Sequence, residues 1–193
     1  MEAMPDFLRQ IIEFRFDGET IMKAVRKIIK VLAILLVVAF IGIQFKHASL
    51  TNPGFSAADS LQANVHMNEQ VEGILNKACA DCHSNQTHWP WYSNIAPVSW
   101  YVVDHVNHGR KHLNFSEWTK KSPHSPNATA QNHLQAICTE AQNGSMPLSS
   151  YTVIHRSAKL TDDEINTLCD WALAEKERLA QNEQSGATMP LIK

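Results

Sequence analysis

The sequence predicts a mainly α-helical chain, with one apolar helix near the N-terminus and a small helical domain behind it. Three observations carry this. Val31 to Ile43 is an unbroken apolar run, VLAILLVVAFIGI. From Leu61 onward, apolar residues recur at helical spacing. The first of these helical stretches runs straight into Cys79-Ala80-Asp81-Cys82-His83, without the βαβ pattern that an α/β redox fold requires.

Length and composition narrow the classes. A chain of 193 residues has room for a short membrane or targeting element and one small domain. Seventeen basic and 19 acidic residues give a net charge of −2, so nothing points to nucleic acid. Four cysteines are too few for a disulfide scaffold at this length.

Residues 1–27 read as a cytoplasmic N-terminal segment. Phe7 to Phe16 would suit a short amphipathic helix on a membrane surface, but Met22-Lys23-Ala24-Val25-Arg26-Lys27 has the look of a signal-anchor start. On that reading Met22 is the functional start and the first 21 residues are an upstream extension. Residues 28–45 are expected to form a transmembrane anchor. Eighteen helical residues span about 27 Å, close to the ~30 Å of a bilayer core. Lys23, Arg26, Lys27 and Lys30 precede the run, which places the N-terminus in the cytoplasm and the rest outside. A cleaved signal peptide is the rival, but no small-x-small site follows the run. Residues 46–60, with Pro53, Gly54 and several Ser and Asn, read as a tether.

Residues 61–182 are expected to be the functional domain. Leu61 to Ala78 reads as one helix, with Leu61, Val65, Val71, Ile74 and Leu75 buried. Ser84 to Pro97 reads as loop and Val98 to Val106 as helix, with Ser116 a helix N-cap just beyond. Residues 119–128 form a polar, Pro-bearing loop, and Ala130 to Ala141 a further helix. In the last helix Thr161 and Glu164 make a capping box, and Ile165, Leu168, Cys169, Ala172 and Leu173 follow at helical spacing to about Leu179. Residues 183–193 are a tail.

The C-x-x-C-H pattern is that of c-type haem attachment. Two thiols at this spacing each add across one porphyrin vinyl group, and the adjacent His83 supplies the proximal iron ligand. A thioredoxin-like pair lacks its fold context here. A zinc site using Cys138 and Cys169 as its second pair lacks a knuckle spacing, since those two are 31 positions apart. The cofactor expected is therefore one covalently attached haem c.

Gly144-Ser145-Met146-Pro147 is the second chemical landmark. A thioether is a soft ligand suited to haem iron, and the 63 positions between His83 and Met146 are enough chain to reach the other face. Met146 is thus the expected distal ligand, with His155 and His105 as alternatives and core filler as the plain reading of a lone Met. Trp89, Trp91, Tyr92 and Trp100 are expected as apolar walls for the porphyrin. Arg110 and Lys111 are candidates for pairing with the propionates. Cys138 and Cys169 either form a disulfide or are buried as separate thiols.

Taken together these residues resemble the bacterial haem-binding domain family. The resemblance is carried by C-x-x-C-H-S-N at Cys79 to Asn85, W-P-W-Y-S-N-I-A-P-V-S-W at Trp89 to Trp100 and H-V-x-x-G-R at His105 to Arg110. L-N-F-S-E-W at Leu113 to Trp118, G-x-M-P around Met146 and the Leu160 helix complete it. It covers about residues 70–180 and implies one covalent c-type haem in a cytochrome c-like helical domain, often behind an N-terminal anchor. The function expected is one-electron transfer rather than catalysis, outside a bacterial cytoplasmic membrane, with membrane or periplasmic redox proteins as partners. A haem-based redox or gas sensor is the alternative, and a peroxidase-like enzyme a weaker one.

Overall fold

In a computed structural model, residues 18–186 are described. The chain divides into two compact units, one ending at His47 and one beginning at Ala48. The first 17 residues, which hold the Phe7–Phe16 stretch and most of the segment read as an upstream extension, and residues 187–193, most of the expected tail, lie outside the described residues.

The first unit holds α1 (Gly18–Ile43). Its side chains from Thr20 to Gly42 are all exposed, among them Leu36 at 71% and Ile34 at 62%. The expected membrane-crossing helix over residues 28–45 is corrected here: no helix among the described residues is long and apolar enough to cross a membrane. The helix stops at Ile43, and Arg26, Lys27 and Lys30 lie inside it. What remains uncharged is Val31 to Ile43, about 20 Å of helix.

Among the described residues the regular elements of the second unit are helices. Its elements are α2 (Leu61–Asn64), α3 (Glu69–Ala78), α4 (Ala80–His83), α5 (Val98–His112), α6 (Ala130–Gln142), α7 (Ser149–Ile154) and α8 (Asp162–Gln184). Short 3-10 turns fall at Ala57–Asp59, Trp91–Asn94, Phe115–Glu117 and Arg156–Ala158. Among the described residues the one β feature is an isolated bridge between Ser122 and Ser125.

The core is built where α3, α6 and α8 meet. Val71, Ile74 and Leu75 recur on one face of α3, Leu134, Ile137, Cys138 and Ala141 on one face of α6, and Leu168, Cys169 and Ala172 on α8. Leu61, Val65, Phe115 and Trp118 close its far side. Cys138 and Cys169 are joined in a disulfide, with Cα atoms 4.6 Å apart. That bond staples α6 to α8 and removes both thiols from any zinc set with Cys79 and Cys82.

Local chemistry explains the boundaries. The Thr161 hydroxyl accepts from the Glu164 N–H while the Glu164 carboxylate accepts from the Thr161 N–H, a complete capping box. The stretch expected as one helix from Leu61 to Ala78 breaks at Val65. Asn68 there accepts from the Val71 N–H and starts α3 afresh. The break frees the His66 backbone to dock on α8: its N–H donates to the Glu175 carboxylate, and its carbonyl accepts from Trp171 Nε1 at 2.7 Å. Glu175 is accordingly buried at 4% exposure, whereas Leu173, expected inside, is 43% exposed. The N-cap expected at Ser116 belongs instead to Asn114, whose side chain accepts from the Ser116 N–H. Ser116 is buried and its Oγ accepts from the Asn85 N–H at 3.0 Å.

Candidate functional site

Cys79 ends α3 and opens α4 at once. Its carbonyl accepts from the Cys82 and His83 N–H groups at 3.1 and 2.9 Å, so one turn carries both thiols and the imidazole to a single wall. α5 lies against this turn so closely that a Cβ on Gly109 would stand 2.7 Å from the Cys82 carbonyl oxygen. Only glycine allows that approach without displacing backbone.

A further part of the cavity lining comes from the chain after α6. Gly144 adopts φ +68° at the end of that helix, a left-handed conformation that glycine supplies at no steric cost. The Met146 N–H then donates to the Glu140 carbonyl at 3.1 Å. This turn brings Met146, Pro147 and Leu148 over a cavity of about 410 Å³, within the usual range for ligand and cofactor sites. Cys79, Cys82, His83, His105 and Met146 all line it. A second cavity of about 260 Å³ shares Cys82, His105, Leu148 and Tyr151 with the first. His155 lines this second cavity and not the first, where its Nε2 meets the Tyr92 hydroxyl at 2.6 Å.

The electrostatics suit neutral ligands. Burial, and then the neighbouring thiol, push the Cys79 thiol up to about 12. Burial and Asp81 push Cys82 up to about 11. Thiols held so firmly protonated are poor partners for disulfide exchange. Burial holds the His83 imidazole below its ordinary pKa. Its Nδ1 lies 2.9 Å from the Leu113 carbonyl, which can only accept. The proton is therefore on Nδ1, and Nε2 keeps its lone pair, the form a metal ion takes.

The other expected residues are placed as follows. None of the tryptophans lines either cavity. Trp91 is 75% exposed, Trp118 is in the core, and Trp89 lies under the Arg110 guanidinium at 6.0 Å. Arg110 donates to the carbonyls of Ser84 and Thr51 and to the side chains of Asn52 and Thr87, all between 2.7 and 2.9 Å. Its fork therefore fastens the loop after His83 and the start of the stretch read as a tether. Tyr151, which lines both cavities, was not foreseen. Its hydroxyl donates to Asp81 at 2.8 Å and its ring stacks on His155 at 4.3 Å. The short α7 that carries it shows no helical periodicity long enough to find by sequence.

Two neutral thiols, an imidazole nitrogen and a thioether around one mainly apolar cavity make a helical domain whose donor set fits haem. The chain belongs to the haem-binding domain family, whose model matches residues 38–174. The match begins inside α1, well before the residues that carry the resemblance in sequence. No curated protein and no solved structure matches the chain.

Proposed function

We propose that the domain carries one haem c, joined through Cys79 and Cys82, with His83 and Met146 as its iron ligands, and that it works as a one-electron carrier. The observation that carries this reading is the convergence of those four side chains on one cavity, with His83 Nδ1 already engaged by Leu113. Haem, when bound, supplies a one-electron iron couple whose potential follows its axial ligands. The chain's own part is to orient His83 through the Leu113 carbonyl, to hold both thiols at one edge through the α4 turn, and to cover the cavity with the Met146–Leu148 segment. A thioether in the distal position favours electron transfer over exogenous ligand binding, which ranks the carrier above an enzyme. The sensor remains the second reading because Met146 sits on a loop and is 36% exposed, a position from which a ligand is readily displaced.

The same reading attaches the domain to a membrane through α1. Its exposed uncharged run from Val31 suits hydrocarbon, and Arg26, Lys27 and Lys30 suit anionic headgroups. The Cys138–Cys169 disulfide favours an oxidising compartment, which supports the reading that the haem domain works outside the cytoplasm. Its partners there are membrane or periplasmic redox proteins.

Haem staining of denaturing gels tests the attachment. Wild-type chain should keep its stain, Cys79→Ala and Cys82→Ala should each hold haem by one bond, and the double variant should lose it. Stain surviving in the double variant would overturn covalent attachment at these residues.

A further inference from the structure

We propose that His108, His112 and His124 form a second metal site, for a divalent transition ion such as Zn²⁺, on the surface beside the haem cavity. The three ring nitrogens lie within 4.8 Å of one another. His108 and His112 are four residues apart on α5, one above the other on the same face. His124 comes from the 119–128 loop, and its place there is built. Its N–H donates to the Lys111 carbonyl at 3.0 Å. The Ser122 hydroxyl bonds to the Lys111 and His112 carbonyls, pinning the turn over the end of α5.

The distances favour an ion over histidine–histidine hydrogen bonds. His112 Nε2 faces His108 Nε2 at 3.2 Å and His124 Nδ1 at 3.3 Å. A neutral ring nitrogen either donates one hydrogen bond or accepts one in its plane, so it cannot satisfy both neighbours. A cation between them satisfies all three lone pairs together. With Zn–N bonds of 2.0–2.1 Å, a tetrahedral site has nitrogen–nitrogen edges of about 3.3–3.4 Å, close to the two contacts His112 makes, and the remaining His108–His124 edge, within 4.8 Å, has to shorten as the two rings turn onto the ion. Three imidazoles leave the fourth position for water, and imidazole is a ligand set shared by Zn²⁺, Cu²⁺ and Ni²⁺. His108 and His112 also line the larger cavity, together with Asp104 one turn earlier on the same helix. The ion would therefore add positive charge at the edge of that cavity.

Calorimetric titration of the full-length, haem-loaded chain with Zn²⁺, after chelator treatment and desalting, tests the site. One zinc should bind per chain, with a zinc-edge absorption spectrum of three imidazole nitrogens and one oxygen. His124→Ala and His108→Ala should each weaken binding by roughly 100-fold or more, beyond the 10–100-fold that an outer-sphere change costs. His88→Ala, at an exposed histidine elsewhere, should leave it unchanged. His124→Gln keeps a polar side chain on the loop without the ring and should match His124→Ala. Wild-type affinity in either His124 variant, or wild-type binding no tighter than in the triple alanine variant, would overturn the site.

Discussion

Gly109 and Cys82 meet at a distance that admits no side chain: a Cβ on Gly109 would stand 2.7 Å from the Cys82 carbonyl oxygen and 3.3 Å from its carbon. The obstacle is backbone, so it cannot swing aside as a side chain would. The contact sets the position of the turn that carries both thiols and His83.

Gly109→Ala should therefore destabilise the domain by about 1–3 kcal/mol, an overpacking cost that outweighs the roughly 1 kcal/mol of helix propensity gained by replacing glycine. It should also lower the yield of haem-loaded protein. Gly73→Ala in α3 is the control. No atom lies within 4 Å of its would-be Cβ, so it should stabilise by about 0.5–1 kcal/mol. Denaturant melts of both variants check the pair. Equal effects of the same sign would remove the close approach from the account.

Replacing Cys138 and Cys169 together by serine opens a cross-link that spans 31 positions. Chain entropy alone assigns such a loop about 3–4 kcal/mol. The variant should melt earlier by that amount while its haem stays attached, because the disulfide lies in the α6–α8 core and not on the cavity wall. Loss of attached haem in a variant that remains folded would show that the core staple also positions the site.

Glu175 links α8 to the chain break after Val65. Burial opposes its charge, but Arg178 and the His66 N–H outweigh burial and hold its pKa below the usual carboxylate value. A depressed carboxylate stabilises the fold at neutral pH, and that contribution is lost as pH falls through its folded pKa. Stability should thus decline below about pH 4.5, with a shallower decline in Glu175→Gln. The variant should also lose about 1–3 kcal/mol at pH 7, because it disturbs a buried charge-assisted bond. Melts from pH 7 down to pH 3 decide the point, and an unchanged pH profile in Glu175→Gln would assign the acid sensitivity to other groups.

What was legible in sequence was local. The Thr161–Glu164 box, the helix running into Cys79 and the Gly144 turn before Met146 each depend on residues within a few positions of one another, and each forms as read. Features that depend on distant residues were missed. The break at Val65 is fixed by Glu175, 109 positions from His66. The place of His124 is set by bonds back to Lys111 and His112, and His155 is drawn to Tyr92, 63 positions away. The tryptophan block was specific enough to carry the family, and its aromatic content was a partial guide to placement. Of the rings expected as a porphyrin wall, Tyr92 lines the second cavity, whereas Trp89 lies beneath Arg110, Trp91 is in solvent and Trp100 lines neither cavity. The long apolar run was plain, and Lys30 together with the helix end at Ile43 sets its uncharged length.

The central claim is Met146 on the haem iron, and near-infrared absorption of the oxidised full-length protein, followed by carbon monoxide addition to the reduced form, tests it most directly. A thioether ligand predicts a far-red sulfur–iron charge-transfer band and little carbon monoxide binding in the wild type. Met146→Ala should lose the band, lower the reduction potential and bind carbon monoxide readily. Wild-type protein that lacks the band and takes up carbon monoxide as freely as Met146→Ala would contradict the account.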